Sequence, residues 1–379
     1  MNPDRIRFIR YFDWSILFIL GGLALFSYFG ISGANPTHGE AMKQLLWYGI
    51  SFGVLILFQW IDYRWLTYLS YPLWGVGVLS LLALLLFGPI TNNTTGWFEF
   101  GGIKIQPAEF MKLFTILAVS YWFSRMKEKE VEIRAFYQLW PVFLFFGLPF
   151  LLIVKQPDLG NAVILIGILF AMLIVAGVRW RHILYVAMIG LSGIAVLAYI
   201  YLFHNDFFFD KIIKKYQWNR ITVFLNPDAA STADAGYQVS KSLIAIGSGL
   251  LQGKGFTQKT LTETNWVPEA QTDFVFSVIG EKFGFIGSSI LILLFFLLIY
   301  RLIRIAMETE YDYGKYVIGG FVGMFVFQIF ENIGMTIGIM PVTGITLPFI
   351  SYGGSSLLTN MIAIAIVLNI GLRRKKLMF

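Results

Sequence analysis

Apolar runs alternate with short polar segments along almost the whole chain. They fall near residues 15–32, 45–61, 66–88, 109–124, 137–154, 160–177, 183–203, 283–304, 315–338 and 355–371. A bilayer core of ~30 Å asks for about 20 apolar residues in a helix, so each run reads as one transmembrane helix. One segment breaks the rhythm. Residues 204–282 are polar and aromatic in their first half, and 237–256 form an amphipathic stretch with Gly247, Gly249, Gly253 and Gly255. A loop of that length without obvious regular structure is usually functional. The expected fold is all-α: one integral membrane domain over residues 1–379 with ten transmembrane helices. Residues 204–282 would be a long loop between helices 7 and 8.

Composition supports that reading. Hydrophobic residues make up 57% of the 379 and charged residues 13%, against roughly 25% charged in a soluble domain. Mean hydropathy is +0.70. A soluble surface cannot be covered by so few charges. The charges that exist give an orientation. Of the 29 Lys and Arg, 17 fall in loops on the side of the termini, and the short loops opposite hold Lys43, Lys104 and Lys155. By the positive-inside rule both termini are cytoplasmic and the long loop is extracytoplasmic. The net charge of +7 is then mainly an orientation signal. The basic run at 373–376 reads as an anionic-lipid anchor rather than a nucleic-acid site. Arg5, Arg7 and Arg10 precede a first apolar run long enough to stay as an anchor. With no cysteine, disulfides, thiolate catalysis and Cys-ligated metal centres are excluded. The three scattered His have no metal-binding spacing, and no nucleotide-binding motif has the right context. No internal repeat stands out, which weighs against an inverted-repeat transporter.

Against so few charges, ionisable residues at membrane depth are functional candidates. Glu109 and Lys112 open the fourth run three residues apart, on one helix face, where they can pair. They either orient the helix or form the charged wall of an outward, water-filled cavity in which Lys112 meets a phosphate. Gln156, Pro157 and Asp158 form a turn in which Asp158 caps the next helix or serves chemistry. In the run from Pro268 through Glu269 and Thr272 to Asp273, Thr272 reads as an N-cap, with Asp273 in the first helical turn at the outer interface. A carboxylate there suits a general base. Glu281 lies eight residues further, about 12 Å by helical rise, too far to share a proton, and reads as structural. Gln328, Glu331 and Asn332 share one face and bond other helices. The apolar, breaker-rich stretch 341–356 implies irregular backbone packed in protein or lining a cavity.

These motifs together resemble the SEDS (shape, elongation, division, sporulation) family. The likeness is carried by residues 105–112 (Ile-Gln-Pro-Ala-Glu-Phe-Met-Lys), 156–160 (Gln-Pro-Asp-Leu-Gly), 245–249 (Ala-Ile-Gly-Ser-Gly), 272–274 (Thr-Asp-Phe) and 341–356, in order over nearly the whole chain. Asn332, Ile333, Gly334 and Met335 and the final loop favour the elongation branch over the division branch. The resemblance implies a peptidoglycan glycosyltransferase of the bacterial plasma membrane that polymerises lipid II onto a glycan held on undecaprenyl pyrophosphate. Its implied partner is a class B penicillin-binding protein. Asp273 takes the place of the family's essential aspartate, and Glu269, Glu109 and Lys112 those of its neighbouring charged residues. Three departures stand out: Gly96 before Trp97, Ala270 after Glu269, and Lys241-Ser242 after Gly236-Tyr237. They shift the expected pyrophosphate cations to Lys241, Arg220 and Lys112, with Mg or Mn as a candidate cofactor. The rival readings are a lipid II flippase and a scaffold.

Overall fold

The computed structural model describes residues 12–35, 39–88, 96–101, 103–131, 135–204, 209, 218, 220, 222, 224, 234–256, 260–264 and 266–373. Eleven α-helices are described: α1 Trp14–Ala34, α2 Glu40–Phe58, α3 Trp65–Phe87, α4 Pro107–Glu128, α5 Trp140–Lys155, α6 Leu159–Val175, α7 Trp180–Phe203, α8 Asp234–Ser248, α9 Val275–Glu308, α10 Asp312–Thr336 and α11 Gly354–Arg373. All but α8 coincide with the ten apolar runs. Eight helical segments are long and apolar enough to cross a membrane. The other two differ in kind: α6 is apolar but 17 residues long, and α4 carries Glu109, Lys112, Arg125 and Lys127. A three-residue antiparallel hairpin, β1 Phe98–Phe100 with β2 Ile103–Ile105, precedes α4.

Local chemistry sets several helix ends. Pro107 opens α4 at a position where a missing N–H costs nothing. The Asp158 carboxylate accepts the Asn161 N–H at 3.1 Å and so caps α6. Gly177 (φ 68) closes α6 and Gly338 (φ 76) follows α10, left-handed positions that glycine occupies without strain.

Polarity is distributed from outside to inside as lipid demands. Phe18, Leu86, Phe87 and Met307 are exposed, whereas Lys112, Glu281, Gln328, Glu331, Asn332 and Asn360 are buried. The most enclosed helices are α4, α10 and α11. At the other extreme, only His182 and Ile183 of α7 are buried.

Ion pairs tie the bundle at the end where the termini lie. Arg301 meets Asp13, Lys127 meets Asp312 at 2.8 Å, and Arg373 meets Asp62 at 3.6 Å. At the other end, side chains of α1 and α2 hold the loop between α10 and α11. Ser27 donates to the Ile350 carbonyl (2.7 Å), Gln44 to that of Ser351 (3.1 Å) and Tyr48 to that of Phe349.

The structure differs from expectation at α9. It begins at Val275, eight residues earlier than its apolar run, and bends at Gly284 (φ 65, ψ −160). The bend is filled by the end of the long loop. The amides of Lys254 and Gly255 donate to the carbonyls of Glu281 and Lys282, both at 3.0 Å, and those of Phe285 and Ile286 donate back to Leu250 and Leu251. Carbonyls left open by the bend are thereby satisfied. α8 seats on α9 and α10 through Ser242, whose hydroxyl donates to the Thr336 carbonyl (2.7 Å) and lies 2.6 Å from that of Ser277.

Candidate active site at the loop end of the bundle

The segment before α9 is a tight turn built on Glu269, whose φ is 53. Its carbonyl receives the amides of Thr272, Asp273 and Phe274 at 3.2, 3.1 and 3.2 Å. Thr272 does not cap α9 as expected, because the helix starts two residues beyond Asp273 with Phe274 at the N-cap position. The Thr272 hydroxyl instead turns back to the carbonyl and carboxylate of Glu269 (3.3 and 3.2 Å). Asp273 therefore stands just outside the helix, half-buried in the turn.

Three contacts fix the backbone around it. Asn332 Nδ2 donates to the carbonyls of Asp273 (2.8 Å) and Ile345 (2.7 Å), tying turn and loop to α10. Ser351 Oγ donates to the Thr272 carbonyl at 2.5 Å, and the Tyr352 amide to that of Gln271 at 2.9 Å. A loop glycine completes the site. A Cβ on Gly344 (φ 78) would lie 3.4 Å from Asp273 Oδ2 and 3.7 Å from Arg220 Nη1, so the chain passes close to both charges. Arg220 Nη1 is also 3.4 Å from the Val342 carbonyl.

Burial pushes the Asp273 carboxyl up to about 6, and the negative charges of Glu269 and, less strongly, Asp158 add to the rise. The guanidinium of Arg220 and the Thr272 hydrogen bond oppose it. A carboxylate titrating near 6 is an effective proton acceptor at neutral pH. Asp158 reaches this neighbourhood from the start of α6 and is itself held by Gln106 Nε2 and Asn161 Nδ2, each at 2.9 Å. Gln106 immediately precedes α4, and its amide donates to Ser355 Oγ of α11 at 3.2 Å. Six parts of the chain thus meet around one carboxyl: the long loop, the turn before α9, α10, the return loop 341–353 and the starts of α4 and α6.

The other expected site residues fall elsewhere. Glu109 and Lys112 do pair, at 2.9 Å, but the Lys112 side chain has no exposed surface and that of Glu109 6%. The pair is enclosed and is not the wall of an open outer cavity, because α4 is among the most buried helices. Beyond the Glu109–Lys112 contact itself, Glu109 Oε2, Glu331 Oε2 and both amide atoms of Gln328 find no hydrogen-bond partner among the described residues. Such groups demand hydration or a polar ligand. Lys241 sits 3.4 Å over the Trp266 ring and 5.0 Å from that of Tyr237, so its charge is engaged by aromatic faces. Gln156 is buried and donates to the Leu81 carbonyl at 2.8 Å, a contact between helices. Glu281 is a clamp. It accepts Lys254 Nζ and the Leu261 amide at 2.8 Å, the Thr262 amide at 3.0 Å and the Thr262 hydroxyl at 2.9 Å. Among the described residues no group of three or more His, Cys, Asp or Glu could hold a metal ion. Gly344, Ser351 and Gln106 are contributors that sequence reasoning did not single out. They lie in two of the quoted motifs, but nothing local marks them individually.

A family model described as "Cell cycle protein", FtsW/RodA/SpoVE, matches residues 9–376. The chain is 37% identical over 335 residues to stage V sporulation protein E of Bacillus subtilis, covering 87% of this chain and 86% of that one. It is 31% identical over 383 residues to the peptidoglycan glycosyltransferase MrdB of Escherichia coli, covering 99% and 98%. Among solved structures, a chain of a peptidoglycan synthase complex described for its coordination of polymerization and crosslinking superposes with a TM-score of 0.76 at 28% identity, covering 95% and 97%. The rod shape determining protein RodA of Thermus thermophilus gives 0.70 at 28% identity, covering 96% and 98%.

Proposed function

The chain belongs to the FtsW/RodA/SpoVE (SEDS) family of cell cycle proteins, and from that premise we propose that it is a peptidoglycan glycosyltransferase that polymerises lipid II with Asp273 as general base. The observation that carries the assignment is the setting of Asp273: a half-buried carboxyl tuned to about 6, beside Arg220 and fixed through its backbone by Asn332 and the return loop.

The donor is a glycan α-linked to undecaprenyl pyrophosphate, and the acceptor is the 4-hydroxyl of the lipid II N-acetylglucosamine. The acceptor oxygen attacks the anomeric carbon as the bond to pyrophosphate breaks. One displacement inverts the centre to a β-1,4 link, so no covalent intermediate is required. Asp273 takes the hydroxyl proton. Arg220 stabilises the charge that develops on the departing pyrophosphate. Lys112 and Lys241 do not share that task, since one is enclosed with Glu109 and the other is held by Trp266. A Mg or Mn ion enters this proposal only as a counter-ion carried by the pyrophosphate. Asp158 and Glu269 set the acidity of the base and border the sugars.

The proposal places ten helices in the bacterial plasma membrane, both termini in the cytoplasm and the Asp273 end outside. The partner is a transpeptidase of the class B penicillin-binding type, which the resemblance to a synthase complex supports. Within the family we read the elongation branch from Asn332, Ile333, Gly334 and Met335 and the final loop. A flippase would need a hydrophilic path, and Glu281, one of the three residues able to line it, is consumed by the loop clamp.

The deciding measurement uses the purified chain with its partner and labelled lipid II. Asp273→Asn should keep expression and partner binding and lose glycan synthesis by roughly 10²-fold or more, as expected for loss of a general base. Near-normal polymerisation by that variant would reject the assignment.

A further inference from the structure

At the end of the bundle opposite Asp273, two cavities of about 690 and 360 Å³ lie side by side where α6 finishes. They share Lys127, Ala176, Gly177 and Tyr316 as lining. The larger runs along Val175, Ile303, Met307 and Val322, an apolar trough between α6, α9 and α10, and its rim carries Lys127, Asp312 and Lys315. The smaller is bordered by Arg179. One carboxylate serves two ammonium groups: Asp312 Oδ1 is 2.8 Å from Lys127 Nζ and 3.5 Å from Lys315 Nζ. With Arg179, which is exposed, the four groups leave a positive excess above an apolar wall. Lys127 keeps 58% of its side chain exposed and Lys315 40%, so both can take a further partner.

We propose that this groove binds an anionic glycerophospholipid of the leaflet on the terminal side. Its phosphate sits among Lys127, Lys315 and Arg179, and one acyl chain lies along Val175, Ile303, Met307 and Val322. Basic pockets between transmembrane helices recognise such head groups. The alternative occupant, an apolar helix of another protein, would have to desolvate three cations with one carboxylate to balance them. A phosphodiester supplies the missing negative charge and leaves its own far side in water. The site is distinct from the polymerising site, since its residues lie at the other end of α4, α6, α9 and α10.

The test is native mass spectrometry of the purified full chain offered phosphatidylglycerol or phosphatidylcholine at equal concentration. Wild type should retain phosphatidylglycerol preferentially. The triple variant Lys127→Gln, Lys315→Gln, Arg179→Gln should lose that retention roughly tenfold or more, since each cation near a head group contributes appreciably. A control triple, Arg64→Gln, Arg125→Gln, Arg304→Gln, removes as much charge from the same end without lining either cavity and should retain the lipid. Ile303→Trp, which fills the trough and leaves every charge in place, should also release it. Equal retention of the two lipids, equal loss in both triples, or full retention by Ile303→Trp would each overturn the proposal. Unchanged melting temperatures show that the variants report on the lipid and not on folding.

Discussion

At the scale of single residues, burial raises the Asp273 carboxyl most, and two neighbours of opposite charge then tune it. Glu269 raises it and Arg220 lowers it, so their removal should move the pH profile in opposite directions. In its proposed role Asp273 must be deprotonated to act, so polymerisation should rise with pH through about 6 in wild type. Glu269→Gln removes a negative charge, eases ionisation, and should carry the acid limb to lower pH. Arg220→Gln should carry it higher, each by about 1 pH, the scale expected for one nearby charge. Single-turnover polymerisation across pH 5–8 reads both. A shift of the same sign in the two variants would show that neither charge acts through Asp273. Arg220→Gln should in addition lower the plateau, because it loses the cation beside the leaving group.

At the scale of elements, the join between the long loop and α9 depends on backbone approaching backbone. A Cβ on Gly253 (φ 77) would collide with the Lys282 carbonyl, and one on Gly249 with that of Gly280. Gly247, in α8, has nothing within 4 Å of the same position. Gly253→Ala should therefore cost about 2 kcal/mol or more and expose residues 250–256 to protease, whereas Gly247→Ala should be neutral or slightly stabilising. Melting curves and limited proteolysis of the two variants check the contrast. This join also shows where the sequence stopped being readable. Ten apolar runs mark ten helices, and eight helical segments among the described residues follow the rule of length and hydropathy that lipid imposes. Residues 275–282 escaped that rule. Glu281 and Lys282 interrupt their hydrophobicity, and the groups that neutralise those charges, Lys254, Thr262 and Glu263, lie some twenty to thirty residues upstream. The candidate site divides the same way. Asp273, Glu269 and Asp158 are legible in the family's motifs and Arg220 only as a substitute cation where the pattern departs, and the structure brings the four together. The enclosure of Lys112 depends on helices closing around α4, and the engagement of Lys241 on Trp266, 25 positions away in an irregular loop. Neither has a local signal.

At the scale of the whole molecule, the two ends of the bundle are chemically unlike. The terminal end is tied by ion pairs and carries the basic groove, and the other is tied by hydrogen bonds to loop carbonyls and carries the acidic turn. The absence of cysteine makes the orientation directly testable. A single cysteine at Lys104, exposed at the Asp273 end, should react with a membrane-impermeant maleimide on intact spheroplasts. One at Lys129, exposed at the other end, should react only after permeabilisation. The reverse pattern would invert the membrane arrangement proposed above. The hydrogen bonds of Ser27, Gln44 and Tyr48 to the loop at 349–351 join residues more than 300 positions apart. That loop in turn supports Thr272 and Tyr352 holds Gln271. During synthesis, Asp273 thus emerges well before Asn332 and the return loop that fix its backbone. α1 and α2 hold those donors unclaimed until the loop at 349–351 is made. A chain halted between residues 273 and 350 has its aspartate and the acidic turn but lacks the loop that closes over them. Closure around Asp273 therefore waits on contacts of very long sequence separation, the kind that form slowly in folding.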